Sequence, residues 1–387
     1  ENYLYVNREL VSSYSSSEAW QDLGGWEDNL GGWSGPLWNN RCSYKTLKND
    51  PSKLTVLFFT EDYAPIRFEK RITIQKNSCA IDVATRWESR PKDRKLKYSL
   101  GIHPEFMVGG EPDVNDIFFW MTDKGDYRVR SYGSSQMGAD VFSGFAGIAD
   151  SDSLHSIIFE FDNPMSVRFF EGAEYYNLEL SLPNERGRMI ESNERDFNYR
   201  VYLFHGIAQP GFFKSGIAGN VTLNKTFLKH DDEVKISVSF ISSSAFKGRM
   251  SLMQKKPGTE IIAEKPIALK PSAREQITYS WNSRKLPDGK YTFAIIFSDK
   301  LGNEIAQKDF SVEIIAARCA RMRKQLNKLE NILNPIWQEK KKDKSEVIKA
   351  LYHIERARSA SEKGNEKLFK EEVAKIDKVV EMLNPEL

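Results

Sequence analysis

"FEKRITIQKNSCAIDVATRWESRPKDRKLKYSLGIHPEF", residues 68–106, decides how the first half of the chain is read. It runs as a charged strand, a turn at Asn77-Ser78, a second strand rich in β-branched residues, and then the compact "GIHPEF". Around it lie further short runs of the same kind: "KLTVLFFTED", "SIIFEF", "SVRFFE" and "YRVYLFHGIA". Pro51, Pro91, Asn163-Pro164 and Pro183-Asn184 supply turn signals between them. No apolar spacing of three and four persists long enough to argue a helix. Residues 1–212 are therefore expected to be all-β, with antiparallel sheets as the default.

From 213 to 316 the strands continue in a different rhythm. "NVTLNKTF", "DEVKISVSFIS", "GRMSLMQK", "EIIAEKPIAL", "QITYSWNS", "KYTFAIIFSD" and "DFSVEII" give seven strands at the spacing of a small two-sheet sandwich. Pro287-Asp288-Gly289 and Gly302-Asn303 bracket its last hairpin. This segment resembles the immunoglobulin-like modules appended to bacterial secreted enzymes, a likeness that implies architecture and little about function. After Ile315 the period changes. Met322, Leu326, Leu329, Leu333 and Ile336 form one apolar helical stripe, and Val347, Leu351 and Ile354, then Phe369, Val373, Ile376, Val380 and Leu383, repeat it. Residues 317–387 are expected to be a helical hairpin or three-helix element, with Asn334-Pro335 breaking or restarting the first helix.

Composition narrows the function. Lys and Arg number 56 against 54 Asp and Glu, a formal net charge of +2. No global field recommends nucleic acid as partner. "QEKKKDK", residues 338–344, reads as a solvated connection between helices because Glu339 and Asp343 interrupt it. No stretch approaches the ~20 apolar residues of a membrane span, and "ENYLYVNREL" has neither the basic start nor the apolar run of a signal peptide. Cys42, Cys79 and Cys319 lack the spacing of a zinc or redox motif, and Cys42 and Cys79 are read either as a disulfide or as buried free thiols. "DSDS" (150–153) and "HDDE" (230–233) lack the calcium-loop spacing, so no metal and no cofactor is expected.

The stretch "QDLGGWEDNLGGWSGPLWNN", residues 21–40, sets Trp26, Trp33 and Trp38 among Gly24, Gly25, Gly31, Gly32 and Gly35. Glycine in a strand costs entropy and leaves nothing to pack, so some other constraint acts. Either a tight turn caps the core with its tryptophans, or a loop offers apolar faces and N–H donors to a ring-shaped ligand.

"DLGGWEDN" and "GIHPEF" together resemble the galactose mutarotase-like family, whose curved antiparallel supersandwich holds a sugar. The resemblance implies that His103, followed by Pro104 and Phe106, projects into a sugar cleft, and that the tryptophans stack on sugar rings. Mutarotation needs one group to protonate the ring oxygen and another to deprotonate the anomeric hydroxyl. The family's upstream histidine has no counterpart, since Trp33 stands in "LGGWSGP". Its late glutamate would fall near "YRVYLFHGIAQPG", which offers His205 and no acid. The β-rich segment is also shorter than the family's usual domain, as though strands at the N-terminus were missing.

The sequence thus leads to a mainly β chain: a mutarotase-like antiparallel supersandwich, an immunoglobulin-like β-sandwich and a C-terminal α-helical element. Carbohydrate is the expected ligand. Trp26, Trp33 and Trp38 are expected to stack, Asp28, Arg41 and Glu105 to meet hydroxyls, and His103 to serve as acid or polar anchor. A re-sited base, His205 or Glu171, would make the chain an aldose epimerase-like enzyme. A structural subunit, joined to another chain through residues 317–387 or at the N-terminus, is the remaining reading. His155 and His230 read as surface histidines, and His353 as packed or half-exposed on its helix. The location is expected to be extracytoplasmic with a leader removed, or else cytoplasmic.

Overall fold

The computed structural model describes residues 2–6, 9–14, 26–30, 42–60, 66–89, 96–98, 100–104, 108, 115–122, 124–131, 138–152, 154–171, 176–182, 190–192, 194–284, 286–314, 317–338, 344–362 and 365–383. Its first strands are β1 (Asn2–Val6), β2 (Glu9–Tyr14), β3 (Trp26–Leu30), β4 (Cys42–Asp50), β5 (Lys53–Thr60), β6 (Ile66–Gln75), β7 (Ala80–Ser89) and β8 (Leu96–Tyr98). There follow β9 (Leu100–Pro104), β10 (Asp116–Thr122), β11 (Tyr127–Ser131), β12 (Gly138–Asp150), β13 (His155–Glu171), β14 (Tyr176–Leu182), β15 (Ile190–Ser192) and β16 (Glu194–His205). For β1–β3, β8, β9, β14 and β15 the description is of backbone alone.

Twelve of these strands form one antiparallel sheet, in the order β11-β10-β12-β13-β16-β7-β6-β5-β4, with β14, β9 and β3 as a side branch. The branch begins at Asn163-Pro164. Those residues read as a turn between two strands, yet β13 runs through them without stopping. Phe142 pairs with Met165 and Gly144 with Phe161, so three residues of β13 face one of β12. Proline lacks the N–H that a ladder needs, and at an irregularity nothing is lost. On the other edge of β13, pairing with β16 ends at Phe161 and pairing with β14 begins at Ser166. The turn signal has become a bulge at which the sheet forks.

One face of the main sheet is mostly apolar: Phe68, Val83, Trp87, Phe159, Phe161, Tyr199 and Val201 are buried there, with Lys70 and Thr85 among them. The other face changes character from row to row. Ile158 and Tyr202, in register, are buried; Glu160 and Arg200, the next row, are not.

The cause is the segment that follows, made of β17 (Phe212–Lys214), β18 (Ile217–Leu223), β19 (Phe227–Leu228), β20 (Glu233–Ser242), β21 (Phe246–Lys256), β22 (Glu260–Leu269), β23 (Arg274–Asn282), β24 (Gly289–Asp299) and β25 (Glu304–Ile314). These nine strands make a four-stranded and a five-stranded sheet. Seven were expected; β17 and β19 span three and two residues, too few for a period to register. Val234, Ile236, Val238 and Phe240 of β20 alternate with wetter positions and meet Leu252, Phe293, Ile295 and Phe297 in one core between the sheets.

β17 and β18 also pack backwards. Phe213 lies 5.3 Å from the Phe145 ring and 5.0 Å from Tyr202, edge-on to both, while Ala218 and Ile241 complete the layer. Backbone bonds lock the joint: Cys79 N–H donates to the Ser243 carbonyl at 2.7 Å, and Ser243 N–H to the Gly216 carbonyl at 2.8 Å. Cys79 is a free thiol, in hydrogen-bond contact with the Ser272 hydroxyl, so it is in no disulfide with Cys42. Burial pushes its thiol pKa up, against the Ser272 bond.

The chain ends in α1 (Ala317–Gln338), α2 (Lys344–Glu362) and α3 (Glu366–Leu383). Met322, Leu326, Leu329 and Leu333 are buried against Ile354, Ala350 and Ala357 of α2 and Phe369, Val373, Ile376 and Val380 of α3. α1 continues through Asn334-Pro335 rather than breaking. Pro335 forgoes only the bond to the Asn331 carbonyl, and with three residues left the loss stays within the last turn. No helix among the described residues is long and apolar enough to cross a membrane.

Candidate functional site

The face that the sandwich covers at Tyr202 and Phe204 opens, one row further on, into a polar cleft of about 290 Å³. Register assembles it. Thr73, Asp82, Arg200 and Glu160 form one row across β6, β7, β16 and β13; Arg71, Ala84 and Asn198 form the next. Positions directly opposite in an antiparallel sheet share a face, which brings the β6–β7 hairpin and the sequence-distant β13 and β16 to one wall.

Most of the charges are held. The Arg200 Nε–H donates to Asp82 Oδ1 at 2.6 Å, and this bond strengthens the guanidinium's grip on its proton. Glu160 accepts the Tyr202 hydroxyl on one oxygen and the Ser215 N–H, at 3.2 Å, on the other. Burial first, and then the Glu160 charge, push the Tyr202 phenol well above its ordinary range. Ser215 and Gly216 both have positive φ, 51° and 77°, so the β17–β18 turn bends sharply beside Tyr202, and its Ser215 N–H meets the cleft at Glu160. Further along the face Arg67 pairs with Glu69 at 2.8 Å, and Arg86 lies 3.8 Å from Asp196.

Two guanidiniums, Arg71 and Arg200, thus face two carboxylates, Asp82 and Glu160. Planar donors and acceptors on rigid strands, with balanced charge, suit a ligand carrying several hydroxyls. Asp82 and Glu160 stand two strand spacings apart, roughly 9–10 Å, with Arg200 on the strand between.

None of the described residues that were singled out from the sequence lines this cleft. Trp33, Trp38, Arg41 and Glu105 fall outside the described residues. Trp26 and Asp28 are on β3 and His103 on β9, paired so that Trp26 opposes Pro104, Glu27 opposes His103 and Asp28 opposes Ile102. Strand alternation therefore puts the Glu27 and His103 positions on one face and those of Trp26 and Asp28 on the other. Ile102 opposes Leu180 and Leu180 opposes Val167, which sets His103 in the row of Glu179 and Arg168. Glu171, at the end of β13, is three residues from Arg168 and so on the opposite face from His103.

His205 opposes His155 at the far end of β13, the rings 4.7 Å apart. His155 is buried, contrary to the surface position expected: it begins the central strand of the sheet. Thirteen residues of β13, roughly 40 Å of extended chain, separate its row from that of His103. The structure does not bring His103, His205 and Glu171 together. His230 is half exposed beside Asp288, and His353 is partly exposed, its Nδ1 2.6 Å from Glu372.

Arg71, Asp82, Glu160, Asn198 and Arg200 escaped the sequence reading because each sits on a strand where alternation already accounts for a polar residue. No group of three or more His, Cys, Asp or Glu among the described residues is arranged to hold a metal ion.

No family model matches the chain, and neither does any curated protein. Among solved structures, a β-glucosidase from Erythrobacter marinus aligns with 26% of this chain and 15% of its own, at 9% identity and a TM-score of 0.22. A β-glucosidase from Listeria innocua aligns with 27% of this chain and 17% of its own, at 17% identity and a TM-score of 0.21. A Niemann-Pick type C2 protein from the Japanese carpenter ant aligns with 27% of this chain and 98% of its own, at 14% identity and a TM-score of 0.22. The chain thus spans less than a fifth of either glucosidase.

Proposed function

We propose that the chain is a carbohydrate-binding protein, an accessory or non-canonical member of a polysaccharide-processing system, with a mutarotase-like sheet as its sugar-recognising part. The observation that carries this reading is the cleft: Arg71, Asp82, Asn198, Arg200 and Glu160 on one open sheet face, with Glu160 tied to a turn of the sandwich through the Ser215 N–H. Such side chains hydrogen-bond hydroxyls in pairs, and strands hold them more firmly than loops would. The tryptophans of residues 21–40 join the proposal as stacking platforms, with Arg41, Asp28 and Glu105 as hydroxyl partners. Titration of the whole chain with neutral hexoses and their oligomers, followed calorimetrically, tests it. Saturable binding weakened at least fivefold by Asn198→Ala supports the cleft. A folded chain that ignores every sugar of a broad glycan array refutes the reading.

Two further observations favour other readings. Glu27 opposes His103 directly, and such positions stand ~4.5–5.5 Å apart at Cβ, close enough for an acid and a base to act across one sugar ring. This suits an epimerase-like activity, for which anomer exchange is the assay. Ile348, Tyr352 and Met382 are more than half exposed on the helices, which suits assembly with another chain through residues 317–387.

A further inference from the structure

Each row of the open face carries charge opposite charge except one. Glu69, Arg86 and Asp196 follow one another across β6, β7 and β16, as do Thr73, Asp82 and Arg200. Between them comes Arg71, Ala84 and Asn198. Ala84 is the break in the pattern, and its methyl leaves the space between Arg71 and Asn198 open. The consequence falls on Arg71. Arg67, Arg86 and Arg200 on the same face are each paired with a carboxylate, whereas Arg71 has no ion pair or hydrogen bond among the described residues. Lys45, on the same row beyond Leu57, likewise has none.

We infer that the cleft selects sugars bearing a carboxylate, uronic acid residues, with the carboxylate seated on Arg71 in the gap above Ala84 and ring hydroxyls meeting Asn198 and Asp82. The inference rests on the sugar reading above and narrows it. A guanidinium offers two parallel N–H groups that match the two oxygens of a carboxylate. Asp82 and Glu160, already engaged by Arg200, Tyr202 and Ser215, still have lone pairs for hydroxyl donors. A sulfate or phosphate ester has tetrahedral oxygens that call for several converging cations. On this row the other uncommitted cation among the described residues, Lys45, is two strand spacings away, roughly 9–10 Å.

The test is a calorimetric comparison, on the whole chain at low ionic strength, of galactose with galacturonic acid, glucose with glucuronic acid, and glucuronic acid with glucose 6-sulfate. Each uronic acid is expected to bind about fivefold tighter than its parent hexose, the scale of a half-exposed bidentate ion pair, with the margin shrinking as salt is added. Arg71→Gln should erase the margin, weakening each acid about fivefold more than its parent hexose, and Ala84→Glu, which fills the gap and gives Arg71 a partner, should do the same. Both positions face solvent, and unchanged thermal unfolding certifies the variants. Equal binding of hexose and uronic acid, or a margin that survives Arg71→Gln, overturns the inference while the sugar reading stands. Tighter binding of the sulfate ester overturns the assignment to carboxylate. Failure of hexoses and acids alike sinks the sugar reading itself.

Discussion

Replacing Gly216 by alanine should cost the chain about 3 kcal/mol, more than an exposed turn ordinarily exacts. Its φ of +77° already penalises a side chain by ~1–2 kcal/mol. A Cβ there would stand 2.2 Å from Ser243 Oγ and 3.1 Å from the Tyr202 ring. Neither neighbour can retreat freely. Tyr202 is wedged beside Phe213 and bonded to Glu160, and Ser243 holds the joint through its N–H and carbonyl. Relieving the overlap should therefore add ~1–3 kcal/mol. Guanidinium denaturation, read by tryptophan fluorescence, measures the loss. Gly216→Ala combined with Ser243→Ala removes the nearest obstructing atom and should return ~1 kcal/mol, leaving the conformational penalty in place. A loss below about 0.5 kcal/mol in the single variant, or no recovery in the double, would show that the turn does not clamp Tyr202 as described.

Phe213→Ala empties the space between Phe145, Tyr202 and Phe204 and should cost ~3–5 kcal/mol, with sheet and sandwich unfolding in separate steps under denaturant. Glu372, fully buried, would have its pKa raised by burial, but hydrogen bonds from Lys375 and His353 and the Arg356 charge outweigh this and hold it below the ordinary carboxylate range. A carboxylate lowered on folding adds stability in full above its unfolded pKa and loses it as pH falls through the folded one. Thermal melts of the helical element should accordingly fall on acidification below about pH 4.5, and Glu372→Gln should lower stability by ~2 kcal/mol at neutral pH and flatten that slope. If the helices dock another chain, Ile348→Lys with Tyr352→Ser should abolish self-association in sedimentation while leaving the melt unchanged. Should anomer exchange be detected, Glu27→Gln and His103→Ala are each expected to remove it, and persistence in both would place the chemistry elsewhere.

The strand runs at residues 66–75 and 79–89 were legible to within a residue, since alternation and β-branching are properties of the local sequence. So were the helical stripes, buried as spaced. What alternation cannot carry is partnership. "SIIFEF" and "SVRFFE" looked like two strands because Asn163-Pro164 resembles a turn, and only the partners on both edges make it a bulge within one. The same holds at the cleft. Asp82 and Arg200 are 118 residues apart in sequence, and nothing local says that β7 and β16 are neighbours. Motif reasoning drew attention to His103 and the glycine-tryptophan loop, where spacing is unusual, and passed over Arg71, whose significance lies in the alanine opposite.

The turn at Ser215 and Gly216 belongs to the sandwich by sequence and reaches the cleft through Glu160. Recombination could not lift out residues 213–316 as an interchangeable cassette: the excised sandwich would leave Phe145, Tyr202 and Phe204 bare and Glu160 without the Ser215 N–H. The two segments are therefore expected to have diverged as a unit, with changes at Phe213 answered by changes at Phe145 or Tyr202. A ligand gripping Glu160 would, through that same turn, feel which way the sandwich leans.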